Sequence, residues 1–133
     1  MHYGYIGLGN LGGHCAASLR RAGMELTVTD LNRAAGDAVC AAGAQWADTP
    51  EAVAASVDHV ITCLPSPAVT AQVLARILPM MKPGAHWIEM STLGRDDVLA
   101  FADQAAASGV RMMELPVTGG VHLAAQGQIT MLA

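Results

Sequence analysis

The sequence predicts an α/β fold, a doubly wound and mostly parallel sheet with helices on both faces, and three observations carry that expectation. A short apolar strand through Tyr5 and Ile6 runs straight into a G-x-G-x-x-G turn, Gly7-Leu8-Gly9-Asn10-Leu11-Gly12, and Asp30 closes the next apolar strand roughly 20 residues beyond it. Val57 to Leu64 is an almost unbroken apolar run, which is how a central parallel strand covered on both faces reads. Ala-rich segments long enough to be helices separate the apolar runs, giving the alternation of strand and helix that builds a parallel sheet.

Taken in order, the first element is the strand that ends at the glycine turn. A helix from about Asn10 to Ala22 follows, because Leu11, Cys15, Leu19 and Ala22 recur at helical spacing and Gly23 stops them. Strand 2 is Glu25 to Asp30, after which Asn32 can cap an Ala-rich helix through Ala42, stopped by Gly43. A brief strand covers Ala44 to Trp46, and Thr49-Pro50-Glu51 opens a short helix. The Val57 to Leu64 strand is ended by Pro65 and Pro67. A helix from Ala68 to Leu78, a turn at Lys82-Pro83-Gly84, a fifth strand from Trp87 to Met90 and a helix from Asp96 to Ser108 come next. Strands at Val110 to Leu115 and Ile129 to Ala133 complete the chain.

The glycine turn has a physical reading residue by residue. Gly7 permits a tight turn, Gly9 lets the backbone approach a pyrophosphate, and Gly12 lets the following helix pack close on the sheet. A pyrophosphate there lies at a helix N-terminus, where unpaired N–H groups and the positive end of the helix dipole favour an anion. The order and spacing predict a dinucleotide-binding, Rossmann-type unit. The Asp30 carboxylate can accept hydrogen bonds from ribose hydroxyls and repels a 2′-phosphate, so NAD is expected as the cofactor, with NADP the minor option because Arg33 lies just beyond the strand. An ordinary solvated acid at a strand end is the alternative for Asp30, and an exposed helix-start residue that for Arg33.

Composition narrows the partners. With 133 residues the chain is one domain, and a net charge of −4 with only 7 Lys and Arg offers no basic stripe for a nucleic acid. A small-molecule ligand is expected instead. Three cysteines, Cys15, Cys40 and Cys63, without a C-x-x-C pair read as reduced thiols of a cytoplasmic protein. No apolar run reaches membrane-spanning length and no leader precedes the first strand, so neither export nor a membrane partner is expected. No metal is implied, since the 5 His and 3 Cys nowhere show ligand spacing. The mean hydropathy of +0.37 and the apolar last strand predict a surface covered by something else, both a further domain and a second subunit of a homo-oligomer.

Four segments in order resemble the β-hydroxyacid dehydrogenases, the family of 3-hydroxyisobutyrate dehydrogenase and related semialdehyde reductases. Gly7 to Gly12 is similar to the family's cofactor turn, Ile61-Thr62-Cys63-Leu64-Pro65 to its fourth strand and loop, Glu89-Met90-Ser91-Thr92 to its nicotinamide-side segment, and Leu115-Pro116-Val117-Thr118-Gly119-Gly120 to its substrate signature. The resemblance implies that residues 1–133 are an N-terminal NAD-binding domain. It also implies a helical domain, absent from this sequence, that supplies a catalytic lysine and a substrate-binding asparagine, so no catalytic residue is assigned within the chain. Departures from the family pattern are Thr118 for Ser, Glu89 and Glu114 for Asp, and Arg95 where Pro commonly starts a helix.

The resemblance implies cofactor contacts from Gly7, Leu8, Gly9, Asn10, Leu11 and Gly12, with Asp30 at the ribose, Leu64 and Pro65 as an apolar wall, and Thr92 at the nicotinamide side. Thr118, Gly119 and Gly120 are implied to hold the substrate carboxylate, a hydroxyl and glycine N–H groups being suited to an anion. On residues alone, Leu64-Pro65 is an ordinary loop, Ser91 or Thr92 a helix cap, and Thr118 to Gly120 a plain turn before a helix. His14 and His122 lie near these loops, yet neither has an evident carboxylate to orient it. The expected function is hydride transfer between a nicotinamide and a small β-hydroxy acid; an imine reductase or a non-catalytic dinucleotide binder are the alternatives.

Overall fold

The computed structural model describes residues 1–133. The chain runs β1 (His2–Ile6), α1 (Gly12–Arg21), β2 (Glu25–Thr29), a 3₁₀ turn (Arg33–Gly36) leading into α2 (Asp37–Ala41), β3 (Gln45–Trp46) and α3 (Pro50–Ser56). It continues through β4 (His59–Thr62), α4 (Pro67–Ile77), β5 (His86–Glu89), α5 (Arg95–Ala107), β6 (Arg111–Glu114), β7 (Val117–Thr118), α6 (Gly120–Ala125) and β8 (Thr130–Met131).

Six strands form one sheet in the order β3-β2-β1-β4-β5-β6, and every neighbouring pair is parallel. The order reverses between β1 and β4, and at such a switch point a crevice opens beyond the carboxyl ends of the strands. Alternation along the strands then builds two cores. One face carries Ile6, Val60 and Trp87 against Val53 of α3, Leu74 and Ile77 of α4, and Phe101 and Ala105 of α5. The other carries Tyr5, Val28 and Ile61 against Cys15 and Ala16 of α1, Val39 of α2 and Ala124 of α6. The expected doubly wound fold is therefore present, with a wholly parallel main sheet.

Local chemistry explains the starts of α3, α4 and the 3₁₀ turn. Thr49 Oγ1 accepts from Ala52 N at 3.1 Å and Ser66 Oγ from Val69 N at 3.3 Å, each with proline in the next position, while Asn32 Oδ1 accepts from Ala34 N at 3.2 Å. Helix α1 has neither a capping side chain nor an acidic residue in its first turn.

The structure revises several expected boundaries. Helix α1 starts at Gly12, two residues after the expected Asn10, because the backbone of Gly9 to Leu11 stays in the turn. Strand β4 occupies only His59–Thr62 of the Val57 to Leu64 run: Val57 ends α3, and Cys63 and Leu64 leave the sheet as the wall of a cleft. The expected last strand shrinks to Thr130–Met131, which joins no edge of the main sheet and pairs antiparallel with β7. Neither Ser91 nor Thr92 caps α5, whose N-cap is Gly94. No helix is long and apolar enough to cross a membrane.

Candidate functional site

A cleft of about 1000 Å³ lies beyond the carboxyl ends of β1, β2, β4 and β5, the switch point of the sheet. Its floor is the glycine turn. Gly7 has φ +98°, and a Cβ there would sit 2.2 Å from Cys63 O; a Cβ on Gly12 would sit 2.1 Å from Gly7 O. Both positions are thus closed to side chains by backbone packing. Gly9 is different, because a Cβ there meets nothing within 4 Å and would project from an exposed position lining the cleft. The N–H groups of Gly9, Asn10 and Leu11 donate to no acceptor in the chain, and they lead into the uncapped α1. Free donors, a bare backbone and a helix N-terminus together suit an anion.

Asp30 closes the turn from the side of β2. Its Oδ2 accepts from Leu8 N at 2.7 Å and its Oδ1 from Asn32 N at 2.8 Å, so the carboxylate ties the β1–α1 and β2–α2 connections together. Each oxygen keeps a further lone pair for another donor. Arg33 is turned elsewhere: its guanidinium lies 4.3 Å from the Trp46 ring centroid and pairs with Asp37 at 3.1 Å. It does not line the cleft.

Gly7, Gly9, Asn10, Leu11, Gly12, Asp30, Leu64, Pro65 and Thr92 are all brought to the cleft. Leu8 is not. Its side chain is 3% exposed in the core and its N–H is spent on Asp30, so it shapes the turn without lining the cavity. Thr118, Gly119 and Gly120 are exposed at the rim; only their neighbour Val117 reaches the cleft. His14 and His122 are exposed, and His122 has only Gln126 Nε2, at 3.2 Å, as a hydrogen-bond partner. Lys82, the only lysine, pairs with Asp58 at 2.9 Å in the turn before β5, at the amino end of the sheet.

Two features were missed by sequence reasoning. Helix α4 presents Val69, Gln72, Val73 and Arg76 to the cleft, a helical repeat visible in the sequence once the cleft is known. Arg76 there forms a two-pronged pair with Glu51, at 2.6 and 2.8 Å, which holds the Glu51 carboxyl below its usual range. The second is Glu89, fully buried, whose carboxyl accepts from Thr62 Oγ1 at 2.7 Å and from Ser91 N at 2.6 Å. Burial pushes its pKa up. The signal was an acid placed in alternation with Trp87 on the apolar face of a central strand.

Cys63 also lines the cleft, with its thiol pushed up to about 11, chiefly by burial. It is a poor nucleophile at neutral pH. No group of three or more His, Cys, Asp or Glu side chains is placed to hold a metal ion.

Comparison with known proteins supplies a family. Residues 2–133 match the model of the NAD-binding domain of 6-phosphogluconate dehydrogenase. Among curated relatives, the mitochondrial 3-hydroxyisobutyrate dehydrogenase of Drosophila melanogaster is 37% identical, over 97% of this chain and 40% of its own length. The 2-(hydroxymethyl)glutarate dehydrogenase of Eubacterium barkeri is 33% identical, over 97% and 44%. Among solved structures, Mycobacterium tuberculosis 3-hydroxyisobutyrate dehydrogenase with L-serine superposes with a TM-score of 0.94 at 28% identity, covering 98% of this chain and 45% of that one. The chain thus spans less than half the length of these proteins.

Proposed function

This chain belongs to the family of the NAD-binding domain of 6-phosphogluconate dehydrogenase, and from that premise we propose that it is the cofactor domain of an oxidoreductase acting on a small β-hydroxy acid. The observation that carries the reading is Gly9, bare and open over the cleft, with the free N–H groups of Gly9, Asn10 and Leu11 around it. These donors would hold the pyrophosphate of NAD, and the absence of a Cβ lets it come close. Asp30 would take the ribose hydroxyls on its remaining lone pairs. Its charge disfavours a 2′-phosphate, and Arg33, engaged by Trp46 and Asp37, is not poised to offset that.

Leu64 and Pro65 would give the nicotinamide an apolar wall, and Thr92, exposed at the opposite loop, a hydroxyl. When bound, NAD supplies the hydride acceptor; the chain's residues orient it and keep one side of it from water. Thr118, Gly119 and Gly120 stand at the rim where a substrate carboxylate would approach. Both curated relatives described above have names that specify a hydroxyl on the carbon next to the one bearing a carboxylate, which supports a β-hydroxy acid as substrate class.

The cleft holds no lysine or histidine to take the hydroxyl proton: Lys82 lies at the other end of the sheet, paired with Asp58, and neither His14 nor His122 has a carboxylate to orient it. Following what the resemblance to the β-hydroxyacid dehydrogenases implies, we place the catalytic lysine in a second, helical domain. A second groove of about 380 Å³, lined by Ile61, Ile88, Leu115 and Ile129 among others, supplies an apolar face for that domain or for a second subunit. Three free thiols suit a reducing, cytoplasmic setting.

The test is calorimetry of NAD binding to the chain and to Gly9→Val. Since a Cβ at Gly9 has no protein atom within 4 Å, the variant should fold normally and lose NAD affinity by about 100-fold, the equivalent of two hydrogen bonds to a charged group. Unchanged affinity in the folded variant defeats the reading.

A further inference from the structure

Glu89 sits where the parallel ladder between β4 and β5 ends. Thr62 and Glu89 are the last registered pair, and Met90 N bonds Thr62 O at 2.8 Å just beyond. Past that point both chains turn into the walls of the cleft, Cys63-Leu64-Pro65 on one side and Ser91-Thr92 on the other. A chain of side-chain hydrogen bonds continues the connection. Trp87 Nε1 donates to Thr62 Oγ1 at 2.8 Å, Thr62 donates to Glu89 Oε2 at 2.7 Å, and Ser91 N donates to Glu89 Oε1 at 2.6 Å. Leu64 N in turn donates to Ser91 Oγ at 2.7 Å, the bond that spans the two walls.

A carboxyl with no exposure on the apolar face of a central strand is a costly way to fill that volume. No cation offsets it, and the residue paired with it on β6 is another acid, Glu114. Each of its oxygens instead accepts one hydrogen bond, from Thr62 at the end of the ladder and from Ser91 N just past it, so the carboxyl ties the last ladder pair to the segment that the ladder no longer reaches. We propose that Glu89 is the positioning residue of the nicotinamide side of the cleft: by clasping Thr62 and Ser91 it fixes the spacing between the Leu64-Pro65 wall and Thr92. This rests on the NAD reading above, but it adds a role for a residue that touches no part of the cofactor.

The test uses the 133-residue chain with two ligands, NAD and ADP-ribose, the second lacking only the nicotinamide. The wild type should bind NAD more tightly than ADP-ribose. Glu89→Met fills the same volume without acceptors; it should leave ADP-ribose affinity within about twofold and remove the preference for NAD, a loss of about fivefold. The indole N–H resonance of Trp87 should move in that variant, because Thr62 loses its acceptor. Glu89→Gln, which can still accept from Ser91 N and donate to Thr62, should restore the preference. Should Glu89→Met fail to fold, Ser91→Ala removes the spanning bond alone and should lower the NAD preference in the same way.

A folded Glu89→Met that keeps the wild-type preference overturns the proposal, as does a wild type that binds both ligands equally. A wild type that binds neither ligand overturns the NAD reading itself, and the two failures are thereby distinct.

Discussion

The turn between β1 and α1 and the segment from Val117 to Met131 are both rich in glycine, with Gly7 at positive φ in the first and Gly119 and Gly120 in the second, and they differ in what surrounds those glycines. In the turn, side chains at Gly7 and Gly12 would collide with carbonyl oxygens at 2.2 and 2.1 Å. In the later segment, a Cβ on Gly120 (φ +74°) meets nothing, and one on Gly119 (φ +116°) meets only the Leu123 side chain, at 2.9 Å for its nearest atom. Backbone packed on backbone defines the first region whether or not a ligand is present. The second hangs on a two-residue strand pair and the short α6, with Thr118 and Gly119 exposed. Backbone contacts close the first region to side chains, whereas the glycines of the second stand open or meet only a movable side chain.

The largest expected effect breaks or confirms that contrast directly. The 133-residue chain should bind NAD and yet produce no detectable NADH from 3-hydroxyisobutyrate or related β-hydroxy acids, while a version extended through a helical domain turns over. General acid–base assistance is worth about 10² to 10⁴ in rate, and an open site also loses orientation. Robust turnover by the short chain would mean that its exposed segment already holds a complete site.

Stability gives the next effect. Gly7→Ala and Gly12→Ala should each destabilise the chain by about 3 kcal/mol or more, since the colliding atoms are backbone and cannot rotate away. Gly120→Ala faces open space and retains only the strain of its positive φ, about 1 kcal/mol. Thermal or urea unfolding reads the difference, and equal losses would remove the distinction between the two regions.

How much of this was legible beforehand differs between the same two regions. The strand, the glycine turn and Asp30 follow from spacing alone, because Gly7 and Gly12 answer to steric demands of the fold that the motif encodes. Where α1 begins was not legible, since helical periodicity cannot tell whether Asn10 and Leu11 spend their N–H groups inside the helix or keep them for a ligand. The Val57 to Leu64 run overshoots β4 for a related reason: Leu64 is as apolar in a cleft wall as in a strand. The Glu89 clasp needs the register that sets Thr62 beside Glu89, and register between parallel strands is not written in either strand by itself. Strands of two residues, as in β7 and β8, are too short to show any period.

Beside the glycine turn, Asp30 offers a sharper and smaller effect. The chain should prefer NAD to NADP, and Asp30→Ser should narrow that gap by about tenfold through lost ribose bonds and relieved repulsion. The ratio of the two affinities is the quantity to measure, because Asp30 also accepts from Leu8 N and Asn32 N and its loss will loosen the turn for both cofactors. A wild-type preference for NADP would show that Arg33 leaves Trp46 and Asp37 to reach the 2′-phosphate.

The smallest effect lies in the exposed segment. Thr118 sits at the rim and its side chain makes no hydrogen bond, so Thr118→Ala should change the stability of the 133-residue chain by no more than about 0.5 kcal/mol. NAD affinity should also stay within error, because the residue does not line the cleft. In the extended enzyme the same substitution should raise the KM for the hydroxy acid, with Thr118→Ser keeping it near the wild-type value through the retained hydroxyl. Silence in the short chain with an effect in the long one is the signature of a residue placed by this domain and completed by another. A loss of NAD affinity in the short chain would move Thr118 to the cofactor side, and no effect in either chain would leave the carboxylate to other groups.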